Sequence, residues 1–385
     1  MNILIDGRPF VKASSGIPTF LQGSLYAWAR LRPKDRFIIV LPSPIHYSLK
    51  DVCFPPNVEW RISKNVLFHK LPNLIWLCIM MPILCRLYHV DIYYSALPCI
   101  PFFLRKKTKT VIVVHDVVNI EYRDTMEWSN RLSTWLFFSR SIRKADFLWA
   151  NSMYTKSCVE KYYPKRRCEN VFVGCSVNRD VYHPVYLEES TKELIKEKFG
   201  IVNRFVLYVG SLEPRKNLSF MLSLMPAIWQ DMKIQLLVVG AKRWKESSIF
   251  NVVNREDFPK GCVSFCGYVT NEELAMLYNM AECYISTSLN EGFGMPQLEA
   301  FLCGCPVVTA ANSAMREIAE GKSGSLIISD YQKAEWIEKI EHFIVHHDNV
   351  EVQEFANYDW NNVLSSFCKL VYEYDEESRA GMETH

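Results

Sequence analysis

Two glutamates eight positions apart, Glu291 and Glu299, frame the segment of this chain richest in chemistry, Ser286-Thr-Ser-Leu-Asn-Glu-Gly-Phe-Gly-Met-Pro-Gln-Leu-Glu299. A short apolar strand runs into a loop with two glycines, Gly292 and Gly294, which let a backbone come close to a ligand. Pro296 suits the first turn of the helix that follows. Free N–H groups at such a helix start hold hydroxyls or anionic oxygens. Glu291 enters the loop and Glu299 lies on the helix, so two carboxylates can address one ligand. The alternative is that both are solvated and the glycines only turn the chain. A second segment, Tyr208-Val-Gly-Ser-Leu-Glu-Pro-Arg-Lys-Asn217, ends a strand at Gly210 and projects Arg215 and Lys216 from the loop before a helix. Two cations beside a helix N-terminus suit a diphosphate without a metal; a solvated basic loop is the alternative. His115, followed by Asp116, closes the run TVIVV, and a His at the carboxyl end of a parallel strand faces the region where such sheets bind ligands. A lone His is also often a satisfied structural residue. Ser14-Ser15-Gly16, in the first strand–helix loop, can cover a phosphate or form an ordinary turn.

The motifs that would signal other chemistries are absent. No GxGxxG, GxxxxGK[ST], GxSxG or HExxH occurs, which removes support from hydride transfer, P-loop hydrolysis, esterase and zinc-protease readings. The 13 cysteines include no CxxC and sit mostly among apolar residues, where they read as small core side chains of a reduced, cytoplasmic protein. The first residues, Met1-Asn-Ile-Leu-Ile-Asp6, reach a charge before any apolar region forms, so no signal peptide is read there.

These residues need elements to hold them, and the pattern supplies alternating strands and helices. Asn2–Asp6, Phe37–Leu41, Asp91–Tyr94, Thr110–Val114 and Phe147–Ala150 read as strands, with helices at Ile17–Arg30 and Trp128–Lys144. After an aperiodic stretch from Val177 to Ser190 the alternation restarts. Strands are expected at Phe205–Val209, Ile234–Val239, Val263–Phe265, Cys283–Ser286 and Val307–Thr309, and helices at Leu218–Ile228, Glu272–Tyr278 and Gln297–Cys303. Val/Ile runs separated by helices indicate parallel sheets covered on both faces. The length of 385 residues exceeds one core, so two successive doubly wound α/β units are expected, with the ligand in a cleft at the strands' carboxyl ends. The formal charge of +2 argues against dominant nucleic-acid backbone binding. Glycine is scarce, with 15 residues, and Gly210, Gly267, Gly292 and Gly294 fall in the proposed ligand loops.

One segment raises the question of a membrane. Leu71–Cys85 carries no charge but is shorter than the ~20 residues a spanning helix needs and contains Pro72 and Pro82. A buried helix is the expectation. The alternative is a surface resting on a membrane, helped by Arg105-Lys-Lys-Thr-Lys109. The polar end, Glu376–His385, is expected to fray.

Taken together, ILIDGRPF…SSGIPTF, VHDVV, YVGSLEPRKNL, FCGYVTNEELAMLY, STSLNEGFGMPQLEAFLCGCPVV and MREIAEGKSG resemble retaining glycosyltransferase family 4, and within it the mannosyltransferases of polysaccharide and O-antigen assembly. The resemblance implies the GT-B fold: two Rossmann-like doubly wound domains facing each other across a cleft. Residues 1–185, completed by a C-terminal helix at about 359–375, would form the acceptor-side domain, and residues 190–350 the donor domain. It implies transfer of a hexose from a nucleoside diphosphate sugar to a glycan or polyprenyl-linked glycan hydroxyl, with retention and without a metal or other cofactor. GDP-mannose is the first choice of donor and a UDP-hexose the second. Glu299 would hold the ribose hydroxyls, and Arg215 and Lys216 the diphosphate. Glu291 would bind the donor sugar with the N–H groups of Gly292, Phe293, Gly294 and Met295. His115 would lie near that sugar, Gly16, Gly210 and Ser211 near the diphosphate, and Tyr268 and Val269 beside the base. Work at the inner face of the cytoplasmic membrane, through the N-terminal domain, is also implied; nucleic acid is not. Two departures stand out: Ser211 replaces an Arg of some members, and Asn312-Ser313-Ala314 lacks glycines that many members carry, so contacts from that loop are not carried over. A sugar-nucleotide epimerase of the same architecture, or a non-catalytic nucleotide-sugar sensor, remain as alternatives.

Overall fold

The structure, a computed structural model, describes residues 1–11, 16–49, 52–62, 73–117, 120, 134–240 and 252–383. The chain divides into two compact units, Met1–Val177 with Tyr358–His385, and Asn178–Asn357.

The first unit is built on β1 (Asn2–Asp6), β2 (Arg36–Leu41), β3 (Val58–Ile62), β4 (Ile92–Ser95), β5 (Lys109–Val114), β6 (Phe147–Ala150) and β7 (Val171–Val173). They form one sheet in the order β3-β2-β1-β4-β5-β6-β7, with every pair parallel. Such strands are covered on both faces, which is why β5 reads as the unbroken apolar run Thr-Val-Ile-Val-Val and is buried after its first residue. The order reverses between β1 and β4, so the loops leaving these two strands diverge there. Helices α1 (Gly16–Leu31), α2 (Asn73–Leu87), α3 (Arg140–Lys144) and α4 (Met153–Tyr162) lie between the strands. A C-terminal helix, Trp360–Glu383, returns to pack on α1. Asp35 anchors that return: it accepts from the Tyr372 hydroxyl (2.5 Å) and from the N-terminal ammonium (2.6 Å).

Several expectations change. The helix within Leu71–Cys85 is α2, and residues 71–72 lie outside the described residues. It is not a buried helix. Trp76, Leu77, Met81 and Cys85 face the core, whereas Ile75, Ile79, Ile83 and Leu87 are exposed. A run that is apolar all round has no periodicity to reveal which face the sheet covers. Of the helix expected at Trp128–Lys144, residues 128–133 lie outside the described residues; a wide π turn at Thr134–Ser139 leads into the short α3. The C-terminal helix extends to Glu383, and residues 384–385 are outside the described residues. The edge strands β3 and β7 were not legible, because VEWRI and VFV form no long apolar run.

The second unit opens with α5 (Glu189–Phe199) and continues through β8 (Phe205–Val209), α6 (Leu218–Met232), β9 (Gln235–Val239), β10 (Val263–Gly267), α7 (Asn271–Met280), β11 (Tyr284–Ser286), α8 (Met295–Leu302), β12 (Val307–Ala310), α9 (Ser313–Ala319), β13 (Ser325–Ile328) and α10 (Lys333–His346). Its sheet is also wholly parallel, in the order β10-β9-β8-β11-β12-β13. Its core joins Met221, Leu222 and Met225 of α6 to Trp336 and Ile340 of α10 and the strand residues between them. The order reverses between β8 and β11. Those two strands lead into the EPRKN loop and the EGFG loop, so the two richest motifs of the sequence meet at one switch point. Among the described residues no helix is long and apolar enough to cross a membrane.

Candidate functional site

The first loop leaves β8 at Gly210. Its closeness to the end of β9 depends on Gly240, where a Cβ would sit 1.9 Å from the Gly210 carbonyl oxygen. A short 3-10 turn, Pro214–Lys216, then presents the two cations. Asn217 closes the turn in the left-handed region, φ 54°, and starts α6; Asn is among the few side chains that adopt this conformation readily. The turn is held from below. Tyr208 donates its hydroxyl to the Lys216 carbonyl (3.0 Å), and Thr287 donates to the Asn217 carbonyl (3.0 Å). The Leu289 N–H donates to the Arg215 carbonyl (2.9 Å), which ties the two loops together.

Glu291 is the centre of this arrangement. Lys216 Nζ pairs with its Oε1, Arg215 Nη1 donates to its Oε2 (3.2 Å), and Ser288 Oγ donates to Oε1 (2.9 Å). Arg215 also donates to the Asn290 carbonyl (2.7 Å) and lies 3.7 Å from Glu213. Burial by itself would raise the Glu291 pKa. The charges of Lys216 and Arg215, with the hydrogen bonds from Lys216 and Ser288, outweigh it and hold the carboxyl below its ordinary value. The two cations are therefore matched by Glu213 and Glu291 and do not form a bare positive patch.

The structure brings in residues the motifs did not suggest, from the loops that follow β12 and β13 and from the start of α9. Ser313 adopts φ 51°, a left-handed conformation that costs a residue with a Cβ roughly 1 kcal/mol, and its Oγ accepts the Glu291 N–H (3.0 Å). The Ala314 N–H donates to the Glu291 carbonyl (3.3 Å). Asn312 donates to the Ser288 carbonyl (3.1 Å) and to the Tyr331 hydroxyl (3.1 Å), and Tyr331 donates to the same Ser288 carbonyl (2.8 Å). The loop set aside in the sequence for lack of glycines thus clamps the Glu291 turn with side chains. The only signal for it was a pair of small polar residues, Asn312-Ser313, where glycine was looked for.

After Glu291 the chain turns at Gly294, φ 94°, and Pro296 lies in the first turn of α8 as expected. Phe293 is buried, so its place in the site is through the backbone. Met295 begins the helix. Glu299, one turn on, has a different environment from Glu291. It is buried, no cation pairs with it among the described residues, and the Tyr278 hydroxyl donates to its Oε2 (3.2 Å). Burial raises its pKa to about 7, against the lowering by Tyr278. On the loop from β10 to α7, Tyr268 exposes its ring and Val269 is buried. Thr270 and Glu273 fix that loop with reciprocal capping bonds at the start of α7. Ser211 follows Gly210 and is half-buried. A cavity of about 460 Å³ lined by Lys192, Lys196, Arg204 and Glu282 lies at the opposite, amino ends of these strands.

Two candidate positions belong to the first unit. Gly16 is exposed and begins α1; Ser14 and Ser15 lie outside the described residues. His115 follows β5, and its Nε2–H donates to the Ala96 carbonyl (2.8 Å) while Phe20 packs edge-on at 4.9 Å. Burial pushes its pKa down to about 4, only partly opposed by the Ala96 bond, so the ring is neutral at neutral pH. Nearby, Arg8 and Asp6 form a buried ion pair at the end of β1 that also accepts from Ser95 (2.8 Å). Among the described residues no group of three His, Cys, Asp or Glu side chains is placed to hold a metal ion, and all 13 cysteines are free thiols.

A parallel sheet whose switch point carries a cation-bearing turn, a buried carboxylate and a glycine-started helix defines a domain suited to a polar, phosphate-bearing ligand. Residues 203–346 match the family model described as glycosyl transferases group 1. It is 30% identical over 161 residues to the O-antigen chain mannosyltransferase B of Escherichia coli, covering 40% of each chain. It is 25% identical over 236 residues to the serotype-specific mannosyltransferase WbdA of Escherichia coli, covering 60% of this chain and 28% of that one. These matches thus cover less than half the length of either relative. Among solved structures, sucrose-phosphate synthase from Thermosynechococcus elongatus superposes with a TM-score of 0.75 at 16% identity, over 98% of this chain and 99% of that one. Anabaena HepE in complex with UDP and glucose follows at 0.69 and 18%, over 96% and 99%. The two units are the Rossmann-like folds of GT-B glycosyltransferases.

Proposed function

We propose that this protein is a retaining hexosyltransferase of family 4. It moves a sugar, with mannose from GDP-mannose as first choice, from a nucleoside diphosphate sugar to a hydroxyl of a glycan or lipid-linked glycan in cell-surface polysaccharide synthesis. The observation that carries the reading is the meeting of Arg215, Lys216 and Glu291 at the β8/β11 switch point, inside the segment that matches the group 1 family. The names of the mannosyltransferase relatives favour mannose and O-antigen.

In this reading Lys216 and Arg215 exchange their carboxylate partner for the donor diphosphate and stabilise the charge that grows on the leaving phosphate. Glu291 and the N–H groups of Gly292–Met295 orient the sugar hydroxyls, and Glu299, held by Tyr278, receives the ribose hydroxyls. The acceptor oxygen bonds to the anomeric carbon on the face from which the phosphate departs, and the departing phosphate oxygen takes the acceptor proton. A neutral His115 serves as a hydrogen-bonding wall, not a general acid. Cations and helix N–H groups supply the positive charge, so we propose that turnover survives chelation.

A second donor is favoured by one observation: the HepE neighbour was solved with UDP and glucose. Incubating the protein with labelled GDP-mannose or UDP-hexoses, each with and without a lipid-linked glycan, tests the reading. Labelled glycan that depends on acceptor supports a transferase, and the donor consumed decides between guanine and uracil. Donor conversion without acceptor would support an epimerase, and binding without turnover a sensor; either result refutes the proposal.

A further inference from the structure

Behind His115 the first unit buries a polar network that starts where β1 closes, at Asp6-Gly7-Arg8. Gly7 lies against β2, and a Cβ there would sit 2.7 Å from the Val40 carbonyl oxygen, so glycine is what lets Arg8 fold back onto Asp6. Arg8 donates from Nη2 to Asp6 Oδ2 (2.7 Å), from Nε to Oδ1 (2.9 Å) and from its backbone N–H to Oδ1 (3.2 Å). Both side chains are buried. Taking an ion pair out of water is unfavourable unless its remaining hydrogen-bonding capacity is also satisfied. Here that capacity goes to a single loop.

The loop is Ser95–Cys99, which leaves β4, the strand beside β1. Ser95 donates its hydroxyl to Asp6 Oδ2 (2.8 Å) and accepts the Leu97 N–H (3.1 Å). At the far end Arg8 hydrogen-bonds the Cys99 side chain, and the Tyr93 hydroxyl donates to the Cys99 carbonyl (3.2 Å). The loop is gripped at both ends. Between them Ala96 turns its carbonyl oxygen to His115 Nε2, 2.8 Å away on the loop that follows the next strand, β5. Phe20 meets the imidazole edge-on, at 89°, and is itself packed against Trp149 and Trp360.

A carbonyl oxygen only accepts, so the proton of the neutral ring sits on Nε2 and Nδ1 keeps its lone pair. The Asn151 side-chain amide lies 3.4 Å from Nδ1, too far to hold the ring. We propose that Ser95, held by Asp6 and Arg8, is a positioning residue: it aims the Ala96 carbonyl at His115 and fixes the imidazole as the Nε2–H tautomer. The ring then offers an arriving hydroxyl an acceptor, Nδ1, and no free donor. That this hydroxyl belongs to a donor sugar rests on the transferase reading; the tautomer does not.

Nitrogen-15 NMR of the full chain labelled at histidine, at pH 7 and without ligand, reads the tautomer; the His115 signals are identified by their loss in His115→Gln. The expected result is a protonated Nε2 and an unprotonated Nδ1. Ser95→Ala releases the Leu97 N–H and the second Asp6 oxygen, so both His115 nitrogens should move toward averaged shifts as the other tautomer populates. With whichever donor the protein consumes, kcat of this variant should fall ~10-fold or more while KM for the donor stays within about twofold. Ser95→Thr restores the hydroxyl and should return both the tautomer and kcat. A role confined to stability would lower the melting temperature of Ser95→Ala but leave its nitrogen shifts and kcat at the parent values, and that result overturns the proposal. So does a parent protein with the proton on Nδ1, or on both nitrogens, a measurement that stands even if Ser95→Ala does not fold. Absence of turnover with every donor would refute the transferase reading, and the nitrogen shifts of parent and variant would still decide the tautomer.

Discussion

Replacing Glu299 with glutamine removes one ionisable group and little volume, and its effect on stability depends on pH in a way the structure fixes. Burial holds the Glu299 carboxyl to about 7 in the fold, against an ordinary 4.5. Below pH 4.5 it is neutral in both the folded and the unfolded chain and nothing is lost. Between 4.5 and 7 the unfolded chain releases a proton that the folded chain keeps, so stability falls as pH rises; above 7 both forms are ionised and the loss is complete. At about 1.4 kcal/mol per pH unit the loss is about 3 kcal/mol, and the group's full burial argues against discounting it for solvent. Glu299→Gln escapes this loss. Its stability should equal that of the parent near pH 4.5 and exceed it by about 3 kcal/mol at pH 8, which is ~6–12 °C in melting temperature for a domain of this size. Denaturation curves of both proteins from pH 4.5 to 8.5 are the assay, with the Tyr278 bond retained because glutamine keeps an acceptor oxygen. Parallel curves, or a gap that widens toward acid, would refute the assignment of a raised pKa. The functional reading adds a second measurement. Ribose hydroxyls donating to this carboxylate favour its charged form, so nucleotide binding at pH 6 should release a proton in the parent and none in the variant. Calorimetry in buffers of different ionisation heat detects it. Equal proton release in both proteins would sink the ribose role and leave the stability argument standing.

Glu291→Gln removes the partner that occupies Lys216 and Arg215, so nucleoside diphosphate should bind severalfold tighter while sugar transfer falls by two orders of magnitude or more; titration calorimetry and turnover read the two separately, and a loss of both would contradict the exchange of partners. Ser313→Gly relieves the left-handed strain but forfeits the hydroxyl that accepts the Glu291 N–H. The melting temperature should stay within a few degrees, because ~1 kcal/mol of relief offsets the lost bond, while kcat falls ~10-fold or more; unchanged kcat would show that the clamp does not position Glu291. Gly240→Ala puts a methyl 1.9 Å from the Gly210 carbonyl, so the ends of β8 and β9 must part. A loss of more than ~2 kcal/mol in urea unfolding is expected, with weaker nucleotide binding at temperatures where the variant is folded.

What the sequence revealed and what it hid follow from how each feature is encoded. Central strands were legible because both faces are buried and the runs are continuous: Thr-Val-Ile-Val-Val of β5 and Phe-Val-Leu-Tyr-Val of β8 need no periodicity to be seen. Edge strands such as β3 alternate with Glu59 and Arg61 and look like loop. The EPRKN and EGFG motifs were legible because glycine, proline and paired charge are required by turn geometry. The clamp was not, since Asn312, Ser313 and Tyr331 act through backbone carbonyls and an N–H of another loop, and no local pattern marks such a distant pairing. The exposure of α2 was hidden for the opposite reason. Its composition is so uniformly apolar that the sequence carries no information on which side the sheet covers.

The Glu-x7-Glu spacing presents two identical side chains, and the fold makes them chemically unlike. Glu291 enters on the loop, where the β8 turn delivers two cations and the β11 turn a hydroxyl, so its charge is stabilised in place. Glu299 sits one helical turn inside α8, buried and with the Tyr278 hydroxyl as its hydrogen-bond partner, so burial penalises its charge. A carboxylate already paired with cations gives them up only to a stronger anion, which suits the point where a diphosphate must displace it. A carboxylate near its titration point binds neutral donors well, because every hydroxyl that reaches it replaces solvation that burial has removed. In the proposed function the pair divides recognition of one ligand by charge type. Exchanging the two environments, by moving a cation beside Glu299 or removing Lys216 from Glu291, should cost binding even though both carboxylates remain.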